Sequence, residues 1–277
     1  MGVQMLGLAR KTAQTAVLSL FAVALAACDI AVEGEGGLHF DIGAQARDEW
    51  TRSYKLAPGG RLELINVNGR ITAEASEGDS VELKGERSAK AISDEAARDL
   101  LAKIEMREEA SDARVRVEVR PPRVRNGGHE IKWTIKVPKG VSVDLRTVNG
   151  GVTMVGLRGD VRARATNGGI KGNGLVATNV DAVVTNGGVE IELANSASAG
   201  SIELESVNGG VELRLPSDSK ADVTARCVNG GISVDGLSLE IVGEQSRRKV
   251  EGKLNGGGAR VNLETVNGGV RISRPTT

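Results

Sequence analysis

From about residue 60 onward, apolar and polar residues alternate in short runs, and the runs break repeatedly at Asn-Gly. The corner asparagines are Asn68, Asn149, Asn167, Asn186, Asn208, Asn229 and Asn267. Six residues before each Asn stands Leu62, Val143, Val161, Val180, Ile202, Val223 or Val261, and four before stands Leu or Ala. Three residues after it stands Ile71, Val152, Ile170, Val189, Val211, Ile232 or Val270. The positions between are mostly charged or polar, as at Glu63, Asp144, Arg162, Asp181 and Glu203. Period-two alternation on both sides of a fixed break predicts strand, corner, strand, with one face buried.

Asn and Gly suit such a corner because a sharp change of strand direction needs positive φ, which Gly adopts freely and Asn tolerates. Two architectures use it. Asn-Gly can close two-residue hairpins, giving an antiparallel sandwich or barrel, or it can turn the corners of a coil that stacks on the next. From Asn149 the spacings are 18, 19, 22, 21 and 38, the last reading as two coils of 19. Matching columns of residue types at every unit favour the stack. The expectation is an all-β chain, a single parallel β-solenoid with coils of about twenty residues. Asn side chains in register would hydrogen-bond along it.

Two stretches interrupt the repeat. Residues 92–108 read as a short helix insertion, with Ser93 as N-cap, Asp94 and Glu95 in the first turn, and Ala96, Leu100, Leu101 and Ile104 on one face. Residues 120–129 read as an exposed loop between two strands. The solenoid is expected to occupy residues 50–277, and the preceding segment reads as a tether with an entry strand.

The N-terminus adds a location. Arg10-Lys11 precedes a short apolar run, Thr12–Ala27, the layout of a secretory signal. Leu25-Ala26-Ala27-Cys28 resembles the bacterial lipobox. That resemblance implies a signal peptide over 1–27, lipidation of Cys28, and a lipidated tether over 28–49 holding the protein to a membrane of the bacterial envelope, facing the periplasm. Asp29 resembles an inner-membrane retention signal of enteric bacteria, so the membrane involved stays open. The other cysteine, Cys227, then has no disulfide partner.

The run Val137-Pro138-Lys139-Gly140-Val141-Ser142-Val143-Asp144-Leu145, followed by serial Asn-Gly-Gly units, resembles the bacterial putative-adhesin domain of unknown function. The resemblance implies a right-handed parallel β-helix-like fold over about residues 50–274 and carries no catalytic residues. Relatives of that domain accompany membrane regulators, which implies a second role, as an accessory or sensor of envelope stress.

Charge and composition narrow the chemistry. The 36 basic and 36 acidic residues balance, so there is no electrostatic footprint for nucleic acid. Aromatics make up 2% of the chain, too few for a sugar-stacking or single-strand-binding platform. His39 and His129 lack ligand-spaced partners, so no metal site is expected, and no cofactor motif is present. Cys227 falls in a column of small residues (Asn66, Thr147, Ala165, Val184, Ser206, Thr265) and reads as core. Arg158-Gly159-Asp160 matches a receptor-binding tripeptide but reads more simply as a turn. Glu190, Glu192, Glu203, Glu205 and Glu212 supply carboxylates for a polysaccharide-acting β-helical enzyme. Their recurrence along one face reads instead as solvated ladders, with Glu205 opposite Arg226. Arg247-Arg248-Lys249 is a basic cluster in an irregular unit. The favoured reading has no catalytic residues. It is an adhesin-like or structural envelope protein, bound to the membrane through its lipid and touching an envelope polysaccharide or protein. A separate reading is end-to-end self-association through an uncapped terminal coil.

Overall fold

The computed structural model describes residues 43–123, 127–195 and 200–275. The expected signal peptide over 1–27, the lipidation site Cys28, Asp29 and His39 lie outside the described residues. The chain enters through β1 (Ala44–Lys55) and turns one corner at Asn68 between β2 (Arg61–Ile65) and β3 (Ile71–Ser76). It then builds β4 (Ser80–Ala91), α1 (Asp94–Ala102), β5 (Glu105–Ala110), β6 (Arg114–Arg120) and β7 (Gly128–Pro138). Four regular coils follow. They are β8 (Ser142–Asn149) with β9 (Val152–Val155), β10 (Val161–Asn167) with β11 (Ile170–Leu175), β12 (Asn179–Asn186) with β13 (Val189–Leu193), and β14 (Ser201–Asn208) with β15 (Val211–Arg214). The last part comprises β16 (Ala221–Asn229), β17 (Ile232–Asp235), β18 (Leu239–Gln245), β19 (Lys249–Leu254), β20 (Ala259–Asn267) and β21 (Val270–Ser273).

The strands form a ten-stranded and an eleven-stranded sheet. Each coil gives its pre-corner strand to the larger sheet and its post-corner strand to the smaller one. Coil-to-coil pairing is parallel and in register, Val161 facing Val180 and Asn167 facing Asn186, for example. The fold is therefore a β-solenoid, as the column pattern predicts. The core lies between the sheets. Leu62, Leu64, Ile71, Leu145, Met154, Ile170 and Leu213 are all fully buried. Gly172 takes a core position because Leu175 and Ile191 fill its space, each with a methyl less than 3 Å from where a Cβ would stand.

Order along the stack departs from order along the chain at both ends. β2 and β3 lie between the β6/β7 coil and the β8/β9 coil. β20 and β21 slot between β14/β15 and β16/β17. The 38-residue spacing is therefore not two coils of 19. It is one coil enlarged by the antiparallel β18–β19 pair, whose β19 also pairs with β16. Both sheets end in antiparallel strands beyond β6/β7: β4 and β1 on the smaller, β5 on the larger. At the other end β19 and β18 cover the larger sheet, and the four-residue β17 is the edge of the smaller.

The helix is shorter than expected. Ser93 Oγ accepts from the Ala96 amide as N-cap, but α1 stops at Ala102 and Glu105–Ala110 is strand. Pairing of β5 with β6 outweighs the helix propensity of Glu105–Glu109. Ala97, not Ala96, is the buried alanine. Near this end Trp133 meets Trp50 edge-to-face at 5.5 Å, and Gly85 leaves room for the Trp133 ring.

Candidate functional site

The Asn-Gly corners coincide along one edge of the solenoid. Their side chains form a hydrogen-bonded ladder in stacking order, each Nδ2 donating to the next Oδ1. Asn229 donates to Asn267, Asn267 to Asn208, Asn208 to Asn186, Asn186 to Asn167, Asn167 to Asn149 and Asn149 to Asn68, all at 2.8–2.9 Å. The backbone runs a parallel ladder, as where Gly168 N donates to Asn186 O at 2.9 Å. At its far end Asn68 Nδ2 lies 3.2 Å from His129 Nε2. Because Asn68 Oδ1 already accepts from Asn149, its amide must donate here, so Nε2 is the acceptor of a neutral imidazole. Burial holds His129 below the usual histidine range. A histidine 61 residues from Asn68 thus closes the ladder, and nothing in the repeat pattern marks it.

The two glycines of each corner differ. A Cβ on the first would lie 2.2 Å from Gly150 O at Gly168 and 2.6 Å from Gly168 O at Gly187. On the second it would sit 3.2 Å from Gly188 O at Gly169 and 3.5 Å from Gly269 O at Gly210. The coil with Asn68 carries Arg70 in that second place, exposed to solvent. The second glycines floor a shallow groove, with one cavity of about 350 Å³ between Gly188 and Gly231 and another of about 520 Å³ around Gly69, Gly150 and Gly151. Beside the ladder runs a ridge of exposed β-branched residues, with Val148 and Val207 at 42% and Val228 at 54% exposure.

The column two residues before each Asn is more than small. Thr147 Oγ1, Ser206 Oγ and Thr265 Oγ1 donate to the first-glycine carbonyls of adjacent coils, the last two at 2.8 Å, and Asn66 Nδ2 donates to Gly69 O at 3.0 Å. Cys227 occupies the same column, buried, with Sγ 3.7 Å from Arg247 O. A Cβ at Gly159 would lie 2.3 Å from Val141 O, and Asp160 accepts from the Asn179 amide and side chain, so the tripeptide is built into a turn. Arg247 and Arg248 lie exposed in the β18–β19 turn. Glu190 pairs with Lys171, and Glu192 and Glu212 with Arg214. Glu205 does not meet Arg226, because the intercalated β20 places Glu264 between them and Arg226 pairs with Glu264 at 3.5 Å.

Comparison with known proteins places this architecture. Residues 158–273 match the Toastrack DUF4097 family model. Similar solved structures include a putative cell adhesion protein of Clostridium sporogenes (14% identity, 83% of this chain and 100% of that one, TM-score 0.49). Putative adhesins of Bacteroides fragilis (11%, 82% and 97%, TM-score 0.32) and Parabacteroides merdae (12%, 82% and 96%, TM-score 0.29) are also similar. No curated protein matches the chain. The second half of the solenoid is thus similar to a family of unknown function.

Proposed function

We propose that this protein is a non-enzymatic, lipid-anchored component of the bacterial envelope that works by surface contact along its Asn-Gly-Gly edge. The observation that carries the reading is the second glycine. Its place accepts a side chain, as Arg70 demonstrates, yet Gly151, Gly169, Gly188, Gly210, Gly269 and Gly231 leave it bare. An open floor kept over successive coils, edged by amides and a β-branched ridge, suits an extended envelope polymer lying along the solenoid axis. The adhesin names of the similar structures agree with such a role. Cys28, through the lipobox it resembles, would supply the membrane anchor.

Two variants test the two halves. Cys28→Ser should move the protein from the membrane fraction to the soluble fraction, and retention on membranes would remove the anchor. Gly210→Arg should leave the circular dichroism spectrum unchanged while abolishing capture of envelope material by the immobilised chain. Equal capture by both proteins would remove the groove as the contact surface.

A further inference from the structure

The outer face of the eleven-stranded sheet carries many charges, some paired within the chain, as Arg146 with Asp144 and Arg164 with Asp181, and some not, and their placement has a symmetry. Consider the outward column three residues before each corner Asn, with Val183 on β12 as its centre. One coil away on either side stand Arg164 and Glu205, two coils away Arg146 and Glu264, and three coils away Ile65 and Arg226. Reversing the stack about Val183 therefore puts arginine on glutamate twice and never puts like charges together. The two neighbouring columns agree. Reversal sets Arg162 on Glu203 in one, and Arg61, three coils out, on Asp222 in the other. Of the charged residues in these columns Asp181 alone meets its own copy, and its carboxylate is already held by Arg162 at 3.1 Å and Arg164 at 2.8 Å.

We propose that this face is a homodimer interface, with a twofold axis parallel to the strands passing over Val183. The occupant is a second copy of the same chain, chosen by charge complementarity. Three groups on the face support it by what they lack within one chain. Among the described residues, Arg61 and Glu205 have no ion-pair partner, and Glu203 has only the Ser201 hydroxyl at 3.1 Å. Burial of the Glu205 carboxyl, reinforced by Glu264, Asp181 and Glu203, pushes it above the ordinary carboxylate range even against the attraction of Arg164 in the same chain. The partner's Arg164 would relieve that repulsion. Seven strands at a spacing of about 4.8 Å make a face about 34 Å long. With a width of roughly 20 Å it would bury on the order of 1,400 Å² over both copies, within the range of specific interfaces. An interface made largely of charges around one valine assembles fast and weakens with salt. The geometry is side to side, so it uses neither the solenoid ends nor the Asn-Gly-Gly groove, and it stands independently of the proposed function.

Sedimentation equilibrium of the full-length chain at low salt and at about 0.5 M salt tests it. Dimers are expected at low salt, with the dissociation constant rising at least about tenfold at high salt. Arg164→Glu and Glu205→Arg should each weaken the dimer about tenfold or more, and the double swap should restore it to within about threefold. Circular dichroism of each variant confirms that it is folded. A monomer at low salt, single swaps without effect, or a double swap as weak as the singles would each overturn the proposal.

Discussion

Two adjacent glycines at each corner answer to different forces. The first takes φ of +141° at Gly168 and +146° at Gly187, and its missing side chain is where the carbonyl of the neighbouring coil sits. An L-residue there would meet both backbone strain and a clash that parallel stacking cannot relax. Gly168→Ala should therefore cost roughly 2–4 kcal/mol. Gly169→Ala, whose Cβ needs a shift of only a few tenths of an ångström, should cost less than about 1 kcal/mol. Urea unfolding midpoints of the two variants check this, and similar costs would mean that the groove floor too is structural. The corner was legible in the sequence because Asn-Gly recurs at a fixed offset from two apolar columns. The difference between its glycines was not, since it depends on a carbonyl one coil away. The same holds for the buried hydroxyls of Thr147, Ser206 and Thr265. Their shared size shows in the column, but their acceptors lie on other coils.

A ladder of amides is an element with a direction, and His129 sets where it stops. Neutral imidazole accepts from Asn68; a protonated ring would turn an N–H toward an NH₂ whose oxygen is already engaged by Asn149. Burial lowers the folded-state pKa of His129 below its ordinary value of 6.5, so the unfolded chain binds the proton first. Stability is then complete above pH 6.5 and declines as pH falls from there toward the folded value. The slope from one such group stays below about 1.4 kcal/mol per pH unit. His129→Gln, which keeps an acceptor but cannot titrate, should flatten that part of the pH–stability curve. Equal slopes in both proteins would show that the ladder end does not sense protons. Strand pairing overrides local helix preference in this chain. The run Glu105–Glu109 has helix formers at most positions, yet β6 offers it an edge, and the edge wins.

Whole-molecule order is what the repeat conceals. Every coil carries the same apolar columns, so any coil can stack on any other, and chain order does not dictate stack order. That ambiguity is why 38 residues read as two coils of 19, where the chain builds one coil plus a hairpin. It also makes a prediction, because β16 and β20 offer the same register to β14. If coils are interchangeable, a chain ending at Leu254 should not lose β16/β17. That coil should slide one place along the stack into the slot left by β20/β21. Glu205 would then face Arg226, an opposite charge in place of Glu264. A disulfide reports the move. Ser206, Thr265 and Cys227 share one buried column, so residues 206 and 227 lie two strands apart, about 9.6 Å, in the full chain. They would be about 4.8 Å apart after the slide, within bridging distance. With Cys28→Ser and Ser206→Cys in both, the shortened chain should form the 206–227 bridge under mild oxidation, while the full chain should keep free thiols. A shortened chain that unfolds or stays reduced would mean the intercalated coil is specified by more than its columns.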